Sequence, residues 1–205
     1  MPLKKRTFMR YKIGICALAL LSASITLAKV EWEAKVRGAA FIPRSSLFRE
    51  IYGTAAGNFD GEFAGQFYKY LQAWINIDFT LAHGKSLGFC NTTKLWIVNS
   101  SLGLKTPFDI NDWFTVYLGL GPTFGAIRIK DESEFTGCTS STKSSIGVVA
   151  KSGMVFYFWS SYDIDFSSTR WFVDIFADYV YQKADFEKNV NASGLRVGAG
   201  LGIKF

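Results

Sequence analysis

Past its first 28 residues this 205-residue chain has no hydrophobic run long enough to cross a membrane as a helix. Histidine occurs once, cysteine three times and proline four times. A lone histidine leaves little material for a histidine-centred metal site, since zinc takes four ligands. Two cysteines outside the first 28 residues are too few for a disulfide-dense scaffold. No acidic residue precedes Glu31, whereas Lys4, Lys5, Arg6, Arg10 and Lys12 crowd the amino terminus. Without those five, 18 basic residues face 17 acidic ones, a balance that argues against a nucleic-acid partner.

What is present at the start reads as an export leader. The basic stretch is followed by an apolar run from Ile13 to Leu21 and then small residues, with Ala28 at a cleavage point. That is the three-part plan of a signal peptide. The domain reading is therefore 1–28 signal peptide and 29–205 mature domain, with Sec-type export through the periplasm. Cys16 lies inside the apolar run and not at its exit, which argues against a lipoprotein. About 177 residues then remain, the size of one domain.

Hydrophobic residues make up 49% of the chain and aromatics 17%. With no long runs, that content is distributed by alternation, and the carboxy-terminal segment shows it most cleanly. Leu195, Val197, Ala199, Leu201, Ile203 and Phe205 alternate with Arg196, Gly198, Gly200, Gly202 and Lys204. Successive side chains of a strand point to opposite faces, so one face is apolar and the other polar or bare. The same period of two runs through 31–42, 59–67, 73–81, 113–126 and 171–182. It is noisier at 93–106 and 146–158, where Ile97 and Val149 blur the polar face. That makes eight strands. Long polar connections are expected at 43–58, 82–92, 130–145 and 183–193, and short ones at 68–72 and 107–112. The connection 159–170 is long where a short turn is expected.

Three features place the apolar face outside. Aromatic residues gather near strand ends: Trp32, Tyr70, Trp74, Trp113, Trp159 and Trp171 toward one side, Phe41, Phe59, Phe79, Phe124 and Tyr181 toward the other. Aromatic girdles at both interfaces are expected of membrane barrels. The polar face carries glycines beside charges, which suits a narrow interior. The chain also ends on an aromatic residue. The expected fold is all-β, an eight-stranded antiparallel up-and-down transmembrane β-barrel.

The leader, the eight alternating segments and the last strand Gly-Leu-Arg-Val-Gly-Ala-Gly-Leu-Gly-Ile-Lys-Phe together resemble the small OmpA/OmpX-like bacterial outer-membrane β-barrel family over residues 29–205. The resemblance implies location in the bacterial outer membrane. It also implies recognition by the barrel-assembly machinery, with Leu201, Ile203 and Phe205 as the assembly signal, although many members carry an aromatic residue where Ile203 stands. It does not specify an activity, since the family includes adhesins, anchors, small channels and lipid-modifying enzymes.

The polar faces assemble a lumen charge network of Glu31, Glu33, Lys35, Arg37, Glu62, Asp78, Lys105, Lys151, Asp174, Asp178, Arg196 and Lys204, joined by Asp60. Its signs nearly balance, so a closed or nearly closed interior is expected. Cys90 and Cys138 fall in the second and third outer loops, where a disulfide and two free thiols are both open readings. His83 and Ser86 lie at the outer end of the third strand, but His-Gly-Lys-Ser is turn-like and lacks the histidine–serine spacing of lipid A deacylases. The loop 43–58 holds the richest contact candidate, Leu47, Phe48, Arg49, Ile51 and Tyr52, on a short helical turn capped by Ser45 or Ser46. These residues would meet a partner or fold back over the barrel mouth. The expectation is a non-enzymatic barrel with a structural or surface-interaction role through its outer loops. Its expected partners are outer-membrane lipid and lipopolysaccharide, and a host or surface ligand. A small channel is the alternative and a lipid-modifying enzyme a remote third. No cofactor or metal is implied.

Overall fold

A computed structural model describes residues 30–85, 92–133, 137–162, 168–184 and 190–205. The alternating segments form β1 (Glu31–Pro43), β2 (Ala56–Tyr68), β3 (Leu71–Lys85), β4 (Thr92–Asn111), β5 (Phe114–Ser133), β6 (Gly137–Tyr162), β7 (Ser168–Ala184) and β9 (Gly194–Lys204). One helix, α1 (Ser46–Tyr52), separates β1 from β2, and a two-residue strand, β8 (Val190–Asn191), pairs with the end of β7. Each long strand is antiparallel to its neighbour in sequence, and β1 closes the sheet on β9 from Glu33↔Lys204 to Pro43↔Gly194. The terminal strand is locked once more by paired backbone bonds between Trp32 and Phe205, at 2.8 and 2.9 Å. The result is a closed eight-stranded up-and-down barrel.

The faces are those of a barrel turned inside out. On β3, Ile75 is 50% exposed and its neighbour Trp74 only 3%. Ile77, Phe79 and Leu81 continue the outward row, while Asn76, Asp78 and Thr80 are buried inside. A soluble barrel would reverse this order, because apolar area left in water is unfavourable. The wall is therefore built to face hydrocarbon. Among the described residues no helix is long and apolar enough to span a membrane, so the strands do the crossing.

Two-residue turns, at 69–70 and 112–113, join strands on the side where the chain ends meet. Register shifts at Gln66/Tyr68, Asp109/Asn111 and Tyr157/Trp159 lie on that same rim, where bulges commonly end a barrel's ladder. The opposite side carries α1 and the β5–β6 hairpin, and by the rule that outer-membrane barrels keep tight turns periplasmic and longer connections outside it corresponds to the extracellular end.

Two expectations about connections need correction. The segment 130–145 is not a loop: β5 and β6 pair from Ser133↔Gly137 inward, as a hairpin standing beyond the apolar band. Its Thr-Ser-Ser-Thr-Lys-Ser-Ser stretch has no apolar alternation: Ser140 to Ser144 are all exposed and the buried Ser145 is itself polar, so the period-two signal vanishes while the ladder continues. Likewise, 159–170 is mostly strand, with β6 running to Tyr162 and β7 starting at Ser168.

Glycines on the inner face follow a packing rule. Phe172 lies directly across from Gly202, and a Cβ there would meet the phenyl ring at 2.1 Å. Tyr117 lies against Gly153 in the same way, and Arg37 against Gly200. These three bulky lumen side chains each lie over a cross-strand glycine, which is how an eight-stranded interior finds room for them.

Candidate functional site

The lumen is filled at four levels. The middle layer is ionic. Lys35, Arg37, Lys105, Lys151 and Arg196 meet Glu33, Asp60, Glu62, Asp78, Asp174 and Asp178, all buried. Glu62, reaching in from β2, is the hub: Lys105 approaches one carboxylate oxygen to 2.8 Å and Lys35 to 3.2 Å, while Arg37 lies 3.6 Å from the other, which Lys151 also engages. Lys35 also reaches Asp174 at 2.9 Å and Glu33 at 3.4 Å. Arg37 donates from Nε to Asp60 at 2.7 Å and from Nη2 to Asp178 at 3.2 Å. Arg196 sits 2.6 Å from Asp78. Aromatic faces complete the shell, with the Arg37 guanidinium 4.0 Å from the Phe176 centroid and Lys151 4.2 Å from that of Trp74. Taking so many charges out of water is costly unless each is paired, and here every cation has a carboxylate within 4 Å.

Above it, toward the extracellular end, amides and hydroxyls take over. Gln182 donates to Asn99 at 2.9 Å and to Ser145 at 2.6 Å, and Asn58 donates to Thr80 at 2.8 Å. An apolar plug follows: Phe41, Phe48, Leu95, Ile97 and Ile127 are buried together, with Tyr52 and Ile129 packed on them. Below the ionic layer, Tyr117, Val155 and Phe172 form a second plug with Tyr157 against it. The Tyr117 hydroxyl donates to Asp174 at 3.0 Å, joining this plug to the charges.

The outer plug is completed by α1. Ser45 caps it by accepting from the Phe48 backbone N–H at 3.3 Å. Gly53, at φ 89°, ends it with an N–H bond to the Arg49 carbonyl at 2.9 Å, a conformation only glycine adopts cheaply. The helix turns its apolar side inward: Phe48 is 5% exposed and stacks at an angle on Phe41 and Tyr52. Gly84 gives it room, because a Cβ there would stand 2.1 Å from the Ile51 carbonyl oxygen.

Ten of the twelve lumen charges lie in the ionic layer; Glu31 and Lys204 instead pair at 2.8 Å on the periplasmic rim, where the Glu31 side chain is half exposed. Of the loop residues, Phe48 is buried and Ile51 and Tyr52 are partly buried over the barrel mouth, so these three face inward rather than toward a partner, while Leu47 and Arg49 remain exposed. Leu201 and Phe205 point outward on β9, and Ile203 is partly covered there. His83 is exposed on the outer wall opposite Lys94. Ser86, Cys90 and the Cys138 side chain lie outside the described residues, as does the Trp159 side chain.

Two girdle assignments are wrong. Trp74 and Phe41 point into the lumen, because each shares its parity with the charges of its own strand. Ile97 and Val149, which blurred the polar faces, are inner-layer residues: Ile97 belongs to the outer plug and Val149 packs with Trp74, Ala64 and Val180. A polar face interrupted by one aliphatic or aromatic residue was the available signal for layering.

The fold and this interior define a small outer-membrane-type β-barrel, OmpA/OmpX-like in architecture. Solved structures show the same fold. The chain aligns with Neisserial surface protein A at 17% identity and a TM-score of 0.51, covering 86% of this chain and 97% of that one. Outer membrane protein OprG from Pseudomonas aeruginosa gives 11% identity and 0.56, covering 87% and 97%. Ail, the attachment invasion locus protein of Yersinia pestis, in complex with the heparin analogue sucrose octasulfate, gives 14% and 0.50, covering 86% and 99%. No family model matches the sequence. No curated protein matches it either.

Proposed function

We propose that this chain is a non-enzymatic surface barrel of the bacterial outer membrane, whose lumen is a structural core and whose extracellular end makes its contacts. The observation that carries this reading is the filling of the lumen at four levels, with one carboxylate, Glu62, engaged by four cations. A solute path would have to break that network, and a conducting barrel of this kind needs a wider interior. The partners proposed are lipopolysaccharide and outer-membrane lipid, and a host or surface ligand met by the loops. Export by a leader cleaved after Ala28, and assembly through Leu201, Ile203 and Phe205, complete the proposal; amino-terminal sequencing of the membrane-inserted protein should begin at Lys29.

Liposome swelling tests the sealed interior. Folded, heat-modifiable protein should admit small polar solutes no faster than empty liposomes, and size-dependent swelling would favour the channel reading instead. His83→Ala should leave lipid composition unchanged in cells, because the register sets Lys94, a cation that cannot act as the orienting third group, opposite His83. Thiol counting with and without reductant tests whether Cys90 and Cys138 are bonded.

A further inference from the structure

The outer wall carries glycines that no contact within the chain requires. Among the described strand glycines, all but three would bring a Cβ to 2.8 Å or less from another group. The three are Gly38 on β1 and Gly57 and Gly61 on β2, all exposed on the outward face. At Gly57 and Gly61 no atom lies within 4 Å of the Cβ position, and at Gly38 the nearest is a Phe59 ring carbon at 3.9 Å. Glycine weakens a strand, and inside one it often marks a bulge or a place where a ligand or another backbone comes close. No bulge accounts for these, because β1 and β2 pair without a register shift from Glu31↔Gln66 to Phe41↔Ala56.

Gly61 and Ala34 floor a groove of about 780 Å³ in this wall. Phe63 and Phe79 stand along one side of it, on β2 and β3, and Leu201 and Trp171 along the other, on β9 and β7. The volume is in the range of a small-molecule site. The side chains facing it are apolar, since Lys35, Glu62 and Asn76 beneath it are buried in the lumen. One outward glycine shows how such a floor is used. Gly65, next along β2, is already covered by the Trp32 ring, which stacks on Phe63 at 5.2 Å. The height of the groove is specific too. Ala34 and Val36 lie two and four residues along β1 from Trp32, whose backbone pairs with Phe205 at the periplasmic rim. At a rise of about 3.3 Å per residue and a tilt of roughly 40°, that is about 5 and 10 Å along the barrel axis. The groove therefore lies mainly in the periplasmic half of an apolar band about 25 Å tall.

We propose that this groove holds one acyl chain of a periplasmic-leaflet phospholipid, laid over Gly61 between the Phe63–Phe79 and Leu201–Trp171 walls. The proposal rests on the reading of the chain as an outer-membrane barrel and names one lipid that it keeps. The groove is continuous with the hydrocarbon-facing wall, so a lipid chain is what it meets first. A peptide laid there would leave backbone polar groups unsatisfied in hydrocarbon. A second copy would present a convex barrel wall, which rests on the aromatic rims without reaching the glycine floor. A single hydrocarbon chain is narrow and flexible enough to follow the floor, and it gains dispersion contacts from both walls at once.

The test uses the full mature barrel refolded in detergent micelles containing palmitoyl-oleoyl phosphatidylethanolamine, read by native mass spectrometry under graded collisional activation. The wild type should keep one phospholipid at energies that strip the detergent. Gly61→Leu fills the floor from a position with free room, so it should fold as the wild type does. It should bind the phospholipid about tenfold more weakly, the equivalent of about two methylenes losing their contacts. Ala34→Leu narrows the same floor from the neighbouring strand and should act in the same direction, which keeps the test decisive if one variant does not fold. Ala150→Leu makes an equal addition on the outward face of β6, away from the groove, and should bind as the wild type does. Glycerophosphoethanolamine, the headgroup without its chains, should not compete. Equal retention by the wild type and both groove variants, competition by the chainless headgroup, or a dimer that Gly61→Leu dissolves would each overturn the proposal. Heat-modifiability of the same samples reports separately on the membrane-barrel reading, so a folded wild type that retains no phospholipid overturns the groove alone.

Discussion

The two ends of this barrel are closed by different means. At the periplasmic end the plug is made by strand residues alone, Tyr117, Val155, Tyr157 and Phe172, and the chain's own terminal strand is pinned beside it. At the extracellular end a seven-residue helix supplies part of the plug, with Phe48 as its anchor. Strand residues cannot leave without opening the barrel, whereas α1 can detach locally. The ionic middle and the periplasmic plug therefore govern global stability, while the helical part of the outer plug governs local opening.

Four substitutions separate these contributions, from the largest effect to the smallest. Glu62→Ala removes the partner shared by Lys35, Arg37, Lys105 and Lys151 and leaves uncompensated buried cations, which should cost about 3–5 kcal/mol in denaturant unfolding. A loss below about 1 kcal/mol would mean that the network does not hold the wall together. Phe48→Ala should cost about 3 kcal/mol by removing a buried ring from the outer plug. Unlike Glu62→Ala, it should speed hydrogen exchange in 46–52 more than in the strands, and uniform acceleration would erase the distinction between the two ends. Ser45→Ala removes the helix cap and should cost about 1 kcal/mol, read as protease sensitivity confined to the 44–57 segment. Lys204→Gln breaks a rim pair with a half-exposed partner and should change stability by less than about 0.5 kcal/mol. A larger change would mean that the periplasmic rim is held by charge as well as by its backbone ladder.

The strands and their inside-out faces were legible because alternation is strict wherever one face meets hydrocarbon and the other a polar lumen, as in Leu195 to Phe205. Legibility failed where that contrast disappears. On β6 beyond the apolar band, Ser140 to Ser144 are exposed on both faces, so they give no period although they pair as strand. Within the lumen, burial no longer separates polar from apolar, and Trp74 and Phe41 were misread as girdle residues although they point inward. The charged residues of the middle layer were visible as a set, because each occupies a polar-face position of its own strand. Their wiring was not: that Glu62, and not Asp78, is the hub depends on register, which joins residues 89 positions apart such as Lys151 and Glu62. The direction of α1 was open in the sequence for a similar reason. Its amphipathic face fits a partner surface or the barrel mouth equally well, and Gly84, which admits it, reads as a turn glycine until Ile51 is seen against it.

Single-channel recording in planar bilayers, comparing the wild type with a variant lacking residues 44–57, tests the sealed lumen most directly. The deletion removes α1 and Phe48 but leaves the ionic layer and the periplasmic plug in place, so both proteins should be silent once folding is verified by heat-modifiability. A steady ohmic current through the folded wild type, or through the deletion variant alone, would contradict the account by showing that the Glu62 network does not close the barrel.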